Sequence, residues 1–321
     1  MNTKILRLVR IKNLLIVVFT MLFMRYLIIE PILRMNGFHL QLNLFLFTML
    51  VLATVFITAG GYVINDYFDT RTDIINRPNT VVVGKSISRS HAIGLHMVLS
   101  AIGIVLGTFV SFKIGKPIFS LLFILTSGML WFYSTTYKRQ LLVGNIVVAT
   151  LTALVPLMPL LFELPLLGRY WIVITRYQLN VASIVYWVGG YAVFAFLFTL
   201  TREIIKDIED FEGDASFGRN TIPVHFGIKP AKVIVASLVA ITIGILIFVY
   251  AAYMRSNFEG NFDYISLIYL IIFILIPCFG LLFAVLLAEN KKQFHKASQF
   301  SKLIMLFGLF YAVIFRLLIV G

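Results

Sequence analysis

Apolar runs of about 18 or more residues recur from one end of this chain to the other, and no other feature limits its fold as much. Each run is long enough to cross a hydrocarbon core ~30 Å thick. Inside hydrocarbon a backbone must satisfy its own hydrogen bonds, so the runs are expected to be helices. Nine spans are expected, near residues 14–29, 42–64, 92–112, 117–133, 141–162, 183–200, 231–253, 265–288 and 303–320. No long polar linker divides them, so residues 1–321 are expected to form a single transmembrane domain. The fold class is an all-α integral membrane protein: one bundle of about nine transmembrane helices with two cytoplasmic Asp-rich loops. Only 13% of residues are charged, against about 25% in soluble domains, which excludes the soluble classes.

The formal charge of +13 would suggest nucleic acid in a soluble protein. Here the basic residues instead set topology. The amino terminus (Lys4, Arg7, Arg10, Lys12) and the loops after spans 2, 4, 6 and 8 carry 19 of the 27 Lys and Arg, leaving 8 on the opposite side. The amino terminus is therefore expected in the cytoplasm and the carboxyl terminus outside, in the cell (cytoplasmic) membrane. No nucleic-acid partner is expected and no protein partner is indicated. Cys278 lies inside an apolar run and reads as a small buried side chain. Arg25 and Glu30 interrupt the first span, either as functional charges or as a pair snorkelling to the outer interface. The five histidines show no convincing metal-ligand spacing.

Acidic residues are unevenly placed. Nine of the 14 Asp and Glu fall in two stretches, Asn65 to Asp73 after span 2 and Arg202 to Asp214 after span 6. Asp66, Asp69 and Asp73 are spaced by three and four, and Asp207, Asp210 and Asp214 repeat that spacing. On a helix such steps share one face, and Asn65 joins Asp69 and Asp73 there. Carboxylates so stacked repel one another unless a cation sits among them. Oxygen ligands without nearby His or Cys favour Mg²⁺ over Zn²⁺. Mg²⁺ takes one or two carboxylates and completes its shell with water and substrate phosphate. The candidate metal ligands are Asn65, Asp69, Asp73, Asp207, Asp210 and Asp214, and two such stretches suit a diphosphate bridged by the ions. The competing reading is a pair of solvated acidic faces; identical spacing at equivalent positions argues against it.

Nearby cations fit the same task. Arg71 and Arg77 follow the first stretch, and Lys138 and Arg139 follow Tyr133-Ser134-Thr135-Thr136-Tyr137 at the end of span 4. They are candidates to take up charge on a departing pyrophosphate, or simply topology-setting loop charges. Asn13, Tyr62, Tyr133, Tyr137 and Asn145 lie at or near cytoplasmic span ends, as substrate contacts or as interhelical hydrogen-bonding groups. Asp66 is a candidate ligand or orienting group.

Asn65-Asp66-x-x-Asp69-x-x-x-Asp73 resembles the first signature of the UbiA superfamily of intramembrane prenyltransferases, and Asp210-x-x-x-Asp214 with Asp207 resembles the second. The resemblance extends to Asn76-Arg77-Pro78, the segment from Tyr133 to Asn145, and Thr221-Ile222-Pro223 with Gly227. Within the superfamily, the stretch from Arg202 to Asp214 looks most like the branch of digeranylgeranylglyceryl phosphate synthases. Two departures stand out: Asn79 is followed by Thr80 and Val81 where relatives have a second Arg-Pro pair, and Ile11 stands where many have proline.

The resemblance implies Mg²⁺-dependent transfer of a prenyl group from an allylic diphosphate to a lipophilic acceptor in the bilayer, releasing diphosphate. The expected donor is geranylgeranyl diphosphate, and the expected acceptor is geranylgeranylglyceryl phosphate. An aromatic acceptor, as in quinone biosynthesis, would use the same diphosphate machinery. A cation transporter or channel with acidic mouths is the alternative of another class, but transporter acids sit near mid-membrane and these lie at span ends.

Overall fold

The computed structural model describes residues 2–76, 81–255 and 262–320. Among these, nine helices are long and apolar enough to cross a membrane: α1 (Ile11–Met35), α2 (Leu44–Asn76), α3 (Arg89–Lys113), α4 (Pro117–Thr135), α5 (Val143–Arg176), α6 (Ala182–Glu209), α7 (Ile228–Met254), α8 (Tyr264–Leu287) and α9 (Lys291–Ile319). The molecule is an integral, multi-pass, all-helical membrane protein. All nine expected spans are present, and their ends differ in an informative way. α2 runs twelve residues past the expected end of its apolar window, and α9 begins twelve residues before its own. Charged residues end a hydropathy window without ending a helix. The two Asp-rich stretches are therefore helical rather than loops: Asn65 to Asp73 lies wholly within α2, and Asp207 lies in the last turn of α6.

Two helical groups face each other. α2 packs along α3 and α4, and α6 along α5 and α9, with α7 and α8 behind it. α1 and α5 contact both groups. A core of Met21, Phe47, Leu50, Phe123, Met158 and Phe162 joins the first group to α1 and α5. Another core joins α6 to α9 and includes the buried Cys278.

The charges of the first span are structural. Arg25 is 4% exposed, donates to the Leu42 carbonyl at 2.5 Å and lies over the Phe47 ring at 4.4 Å. Glu30 pairs with Arg34 at 2.5 Å and with Arg316 at 3.8 Å. The two residues thus tie α1 to the start of α2 and to α9, far from the acidic stretches, and do not form a snorkelling pair. His96 meets the Gly60 carbonyl at 2.9 Å, a packing contact between α2 and α3.

After Glu209 the chain turns at Asp210 and forms a short helix, Phe211–Ser216. Gly213 allows this helix to touch the end of α2: a Cβ there would fall 2.5 Å from the Asn76 amide. Asn76 in turn donates to the Asp210 carbonyl at 3.4 Å. The two aspartate stretches thus meet where Gly213 packs on Asn76.

Candidate active site

A cavity of about 710 Å³ opens between the two helical groups at the end carrying the aspartates. Asn13, Tyr62, Asn65, Asp66, Asp69, Asp73, Tyr133, Lys138, Asp207, Asp210 and Asp214 all line it. Residues separated by up to two hundred positions thus meet in one space. Asn145 lies beside it and donates to Asp207 Oδ2 at 2.7 Å, which orients that carboxylate.

Three expected residues are not brought to the cavity. Arg71 is exposed, because two positions past Asp69 is roughly 200° around the helix. Arg139 is exposed, and its carbonyl accepts from the Asn220 amide at 3.0 Å. Tyr137 packs against Phe132 outside the lining. Arg77 lies outside the described residues.

The aspartates meet cations that offset their mutual repulsion. Lys138 binds Asp69 and reaches Asn65 Oδ1 at 3.1 Å. Arg219 donates to Asp69 at 2.6 Å, to the Thr72 hydroxyl at 3.0 Å and to Asp214 at 3.2 Å. Burial works against the Arg219 guanidinium, but Asp69 and Asp214 outweigh it and raise its pKa. Burial, with repulsion from Asp210, pushes Asp214 up to about 6 despite Arg219. Arg219 was not a sequence candidate; the available signal was an arginine five residues beyond the last aspartate.

A second polar group lies across the cavity mouth. Arg10 sits in the left-handed region (φ 53°) between the short helix Asn2–Leu8 and α1. Such strain in a non-glycine residue persists only where surroundings enforce it. Here Asp66 pairs with Arg10 at 2.7 Å, and the guanidinium lies 5.0 Å from the Tyr62 ring centre. The Asp66 carboxylate is thus engaged by Arg10 at the cavity lining. Burial opposes the charge on Arg10, and Asp66 more than restores it. Glu203 pairs with Lys206 at 2.9 Å and with Arg202 at 3.1 Å. Lys302 donates to Asn13 Oδ1 at 2.6 Å.

The charged lining falls into sets joined by ion pairs. Asp69 and Asp214 are linked through Arg219, with Lys138 on Asp69. Arg10 pairs with Asp66, and Arg202 and Lys206 pair with Glu203; Arg7, Lys302, Asp73, Asp207 and Asp210 line the same cavity. Below them, the lining becomes largely apolar. Three of its threonines, Thr54, Thr58 and Thr152, turn their hydroxyls onto carbonyls of their own helices at 2.8–3.0 Å.

Among the described residues, no three carboxylate, histidine or cysteine groups converge as a ready-made metal site. The donor set still fits a hard cation that takes one or two carboxylates and finishes its shell with water and phosphate. Its excess buried negative charge is what such an ion would neutralise.

The chain matches the UbiA prenyltransferase family over residues 36–314. It is 32% identical to the digeranylgeranylglyceryl phosphate synthase of Methanosphaera stadtmanae, over 78% of this chain and 81% of that one. Identity to the enzyme of that name from Methanobrevibacter smithii is 31%, over 78% and 80%. The fold is similar to that of a solved digeranylgeranylglyceryl phosphate synthase, with TM-score 0.63, 23% identity and 98% coverage of both chains. It is also similar to a UbiA homologue from Archaeoglobus fulgidus bound to GPP and Mg²⁺, with TM-score 0.54, 19% identity, and 97% and 99% coverage. A nine-helix bundle with paired aspartate faces over an apolar cavity, and a family match across most of its length, give one conclusion: the chain belongs to the UbiA prenyltransferase family and is a membrane-embedded prenyltransferase.

Proposed function

We propose that the protein transfers a prenyl group from geranylgeranyl diphosphate to geranylgeranylglyceryl phosphate, with Mg²⁺ bound at the acidic lining of the cavity. One observation carries this reading: five aspartates and a set of basic side chains line a single cavity whose remaining wall is largely apolar. The aspartates suit a metal-bridged diphosphate. The basic side chains suit the anionic head of a second amphiphile, and the apolar wall suits both hydrocarbon tails.

Asp69, Asp73, Asp207, Asp210 and Asp214, with Asn65, would hold Mg²⁺. Bound there, the metal supplies charge stabilisation to the departing pyrophosphate. Lys138 and Arg219 already point at Asp69, so a diphosphate entering with its metals gives both cations a new anionic partner. As the allylic C–O bond lengthens, negative charge grows on the pyrophosphate beside them. Leu130, on the wall below, excludes water from the developing allylic cation. The acceptor hydroxyl then attacks that carbon, forming an ether bond, and its proton passes to solvent or to the released diphosphate. Asn145 fixes Asp207, and Asp66 fixes Arg10.

The excess of basic residues at the aspartate end supports a cytoplasmic mouth, with the amino terminus inside and the carboxyl terminus outside. A cation-transport reading finds no support: among the described lining residues the carboxylates stop at Glu203, and none lines the deep half.

Mass spectrometry of products from solubilised protein, given both substrates with Mg²⁺ or with chelator, tests the proposal. A doubly prenylated ether lipid formed only with Mg²⁺ is the expected result. Prenylation of an aromatic acceptor, with the glyceryl phosphate untouched, would move the protein to the quinone-type reaction.

A further inference from the structure

The apolar chamber has a definite deep end. Along α2 its lining runs from Asp69 to Thr54, and along α4 from Tyr133 to Leu122. With 1.5 Å of rise per residue, Thr54 lies roughly 22 Å below Asp69, about the extended reach of a twenty-carbon prenyl chain. Lys138, which binds Asp69, follows directly from α4. A chain whose diphosphate lies beside Lys138 therefore descends along α4 and meets Phe123.

Phe123 is 2% exposed, yet it borders the cavity. Its ring centre is 5.8 Å from that of Phe162, which is fully buried. Opposite, the ring rests on bare backbone of α3. A Cβ on Gly107 would fall 2.3 Å from Phe123 Cγ, well inside contact distance for two carbons. Phe162 and the α3 backbone occupy two sides of the ring, and the cavity borders it as well.

We propose that Phe123, seated in the Gly107 socket, is the floor that sets the longest prenyl chain the protein accepts. The proposal rests on the prenyl-transfer reading. Removing the ring deepens the chamber; filling the socket drives the ring upward and shortens it.

Binding tests this without an acceptor. Unreactive prenyl thiolodiphosphates of ten to thirty carbons would be titrated calorimetrically, with Mg²⁺, into wild type, Phe123→Ala, Phe123→Leu and Gly107→Ala. In wild type, affinity should rise to twenty carbons and fall at least ~10-fold at twenty-five. Phe123→Ala should recover that loss, and Phe123→Leu should recover part of it. Gly107→Ala should weaken the twenty-carbon ligand ~10-fold or more relative to the fifteen-carbon one. Retained thermal stabilisation by Mg²⁺ alone reports that each variant has folded. An unchanged length profile in folded Phe123 variants overturns the floor assignment and leaves the functional reading intact. Failure of wild type to bind any of the series overturns both.

Discussion

Arg219 and Asp69, 150 positions apart, meet at 2.6 Å with both side chains about nine-tenths buried. The same guanidinium reaches Asp214, so one arginine ties the aspartate face of α2 to the short helix after α6. In the ligand-free protein it holds negative charge that the bound metals would otherwise neutralise. Removing one partner of a buried pair typically costs about 3–5 kcal/mol. Arg219→Gln should therefore lower thermal stability clearly without metal, and Mg²⁺ should restore more of it than in wild type. Thermal unfolding of both proteins across a Mg²⁺ titration checks this; equal Mg²⁺ effects would show that Arg219 does not stand in for the metal.

That arginine also shows where sequence reading stopped. The three-and-four spacing of the aspartates made the metal face legible, because helix periodicity alone aligns them. Arg219 follows a glycine in a loop whose course depends on the Gly213–Asn76 contact, and no local pattern announces its aim. Arg71 and Arg139 have the right charge and the wrong azimuth, a distinction that loop composition cannot make. Arg10 is aimed by a left-handed residue, its own, and Asp66, which the sequence leaves open as ligand or orienting group, pairs with that arginine. The spans themselves were legible, since hydrocarbon permits little but helix; their ends were not, since charge closes a hydropathy window before the helix stops.

The aspartates should be indispensable. Asp69→Ala removes the carboxylate met by both Lys138 and Arg219, and Asp210→Ala removes one from the opposing stretch. Each should lower Mg²⁺-dependent product formation by at least ~100-fold, the usual scale for losing one charge-stabilising group. Membrane insertion should be preserved, because both positions lie beyond the apolar stretches of their helices. Near-normal turnover in both variants would remove the metal assignment.

Proton and metal should compete at Asp214. Burial raises its carboxyl to about 6, so below that pH Mg²⁺ must displace a proton to use it. Mg²⁺ affinity of the ligand-free protein should fall with decreasing pH by up to about tenfold per unit below 6. Asp214→Asn should weaken binding above pH 6 and flatten this dependence. The stability sign is the reverse of the usual carboxylate case. The folded carboxyl holds its proton more tightly than the unfolded one, near 3.9. Its contribution to stability therefore grows as pH falls from about 6 toward 4 and is lost as pH rises through 6. Mg²⁺ titrations and thermal melts over pH 4–8, in wild type and Asp214→Asn, separate the two effects.

The basic lining should serve the acceptor and spare the donor. Lys302 stands where the lining of α9 changes from Gln299 to Met305 and Leu306, so its ammonium meets the head of an amphiphile whose tail enters the chamber. It is held by Asn13, a neutral partner, which leaves its charge available to an anion. Lys302→Met keeps the buried stem and removes the charge. A hydrogen bond to a charged group is worth about 1.5–3 kcal/mol, so the KM for geranylgeranylglyceryl phosphate should rise by roughly 10–100-fold. The KM for geranylgeranyl diphosphate should change little, because the site proposed for that head is beside Lys138 and Arg219. Arg10→Ala should act in the same direction and should also release Asp66 from its pair. Steady-state kinetics with each substrate varied in turn would show the split. A matching rise in both KM values would mean that the acidic and basic linings do not divide the substrates between them.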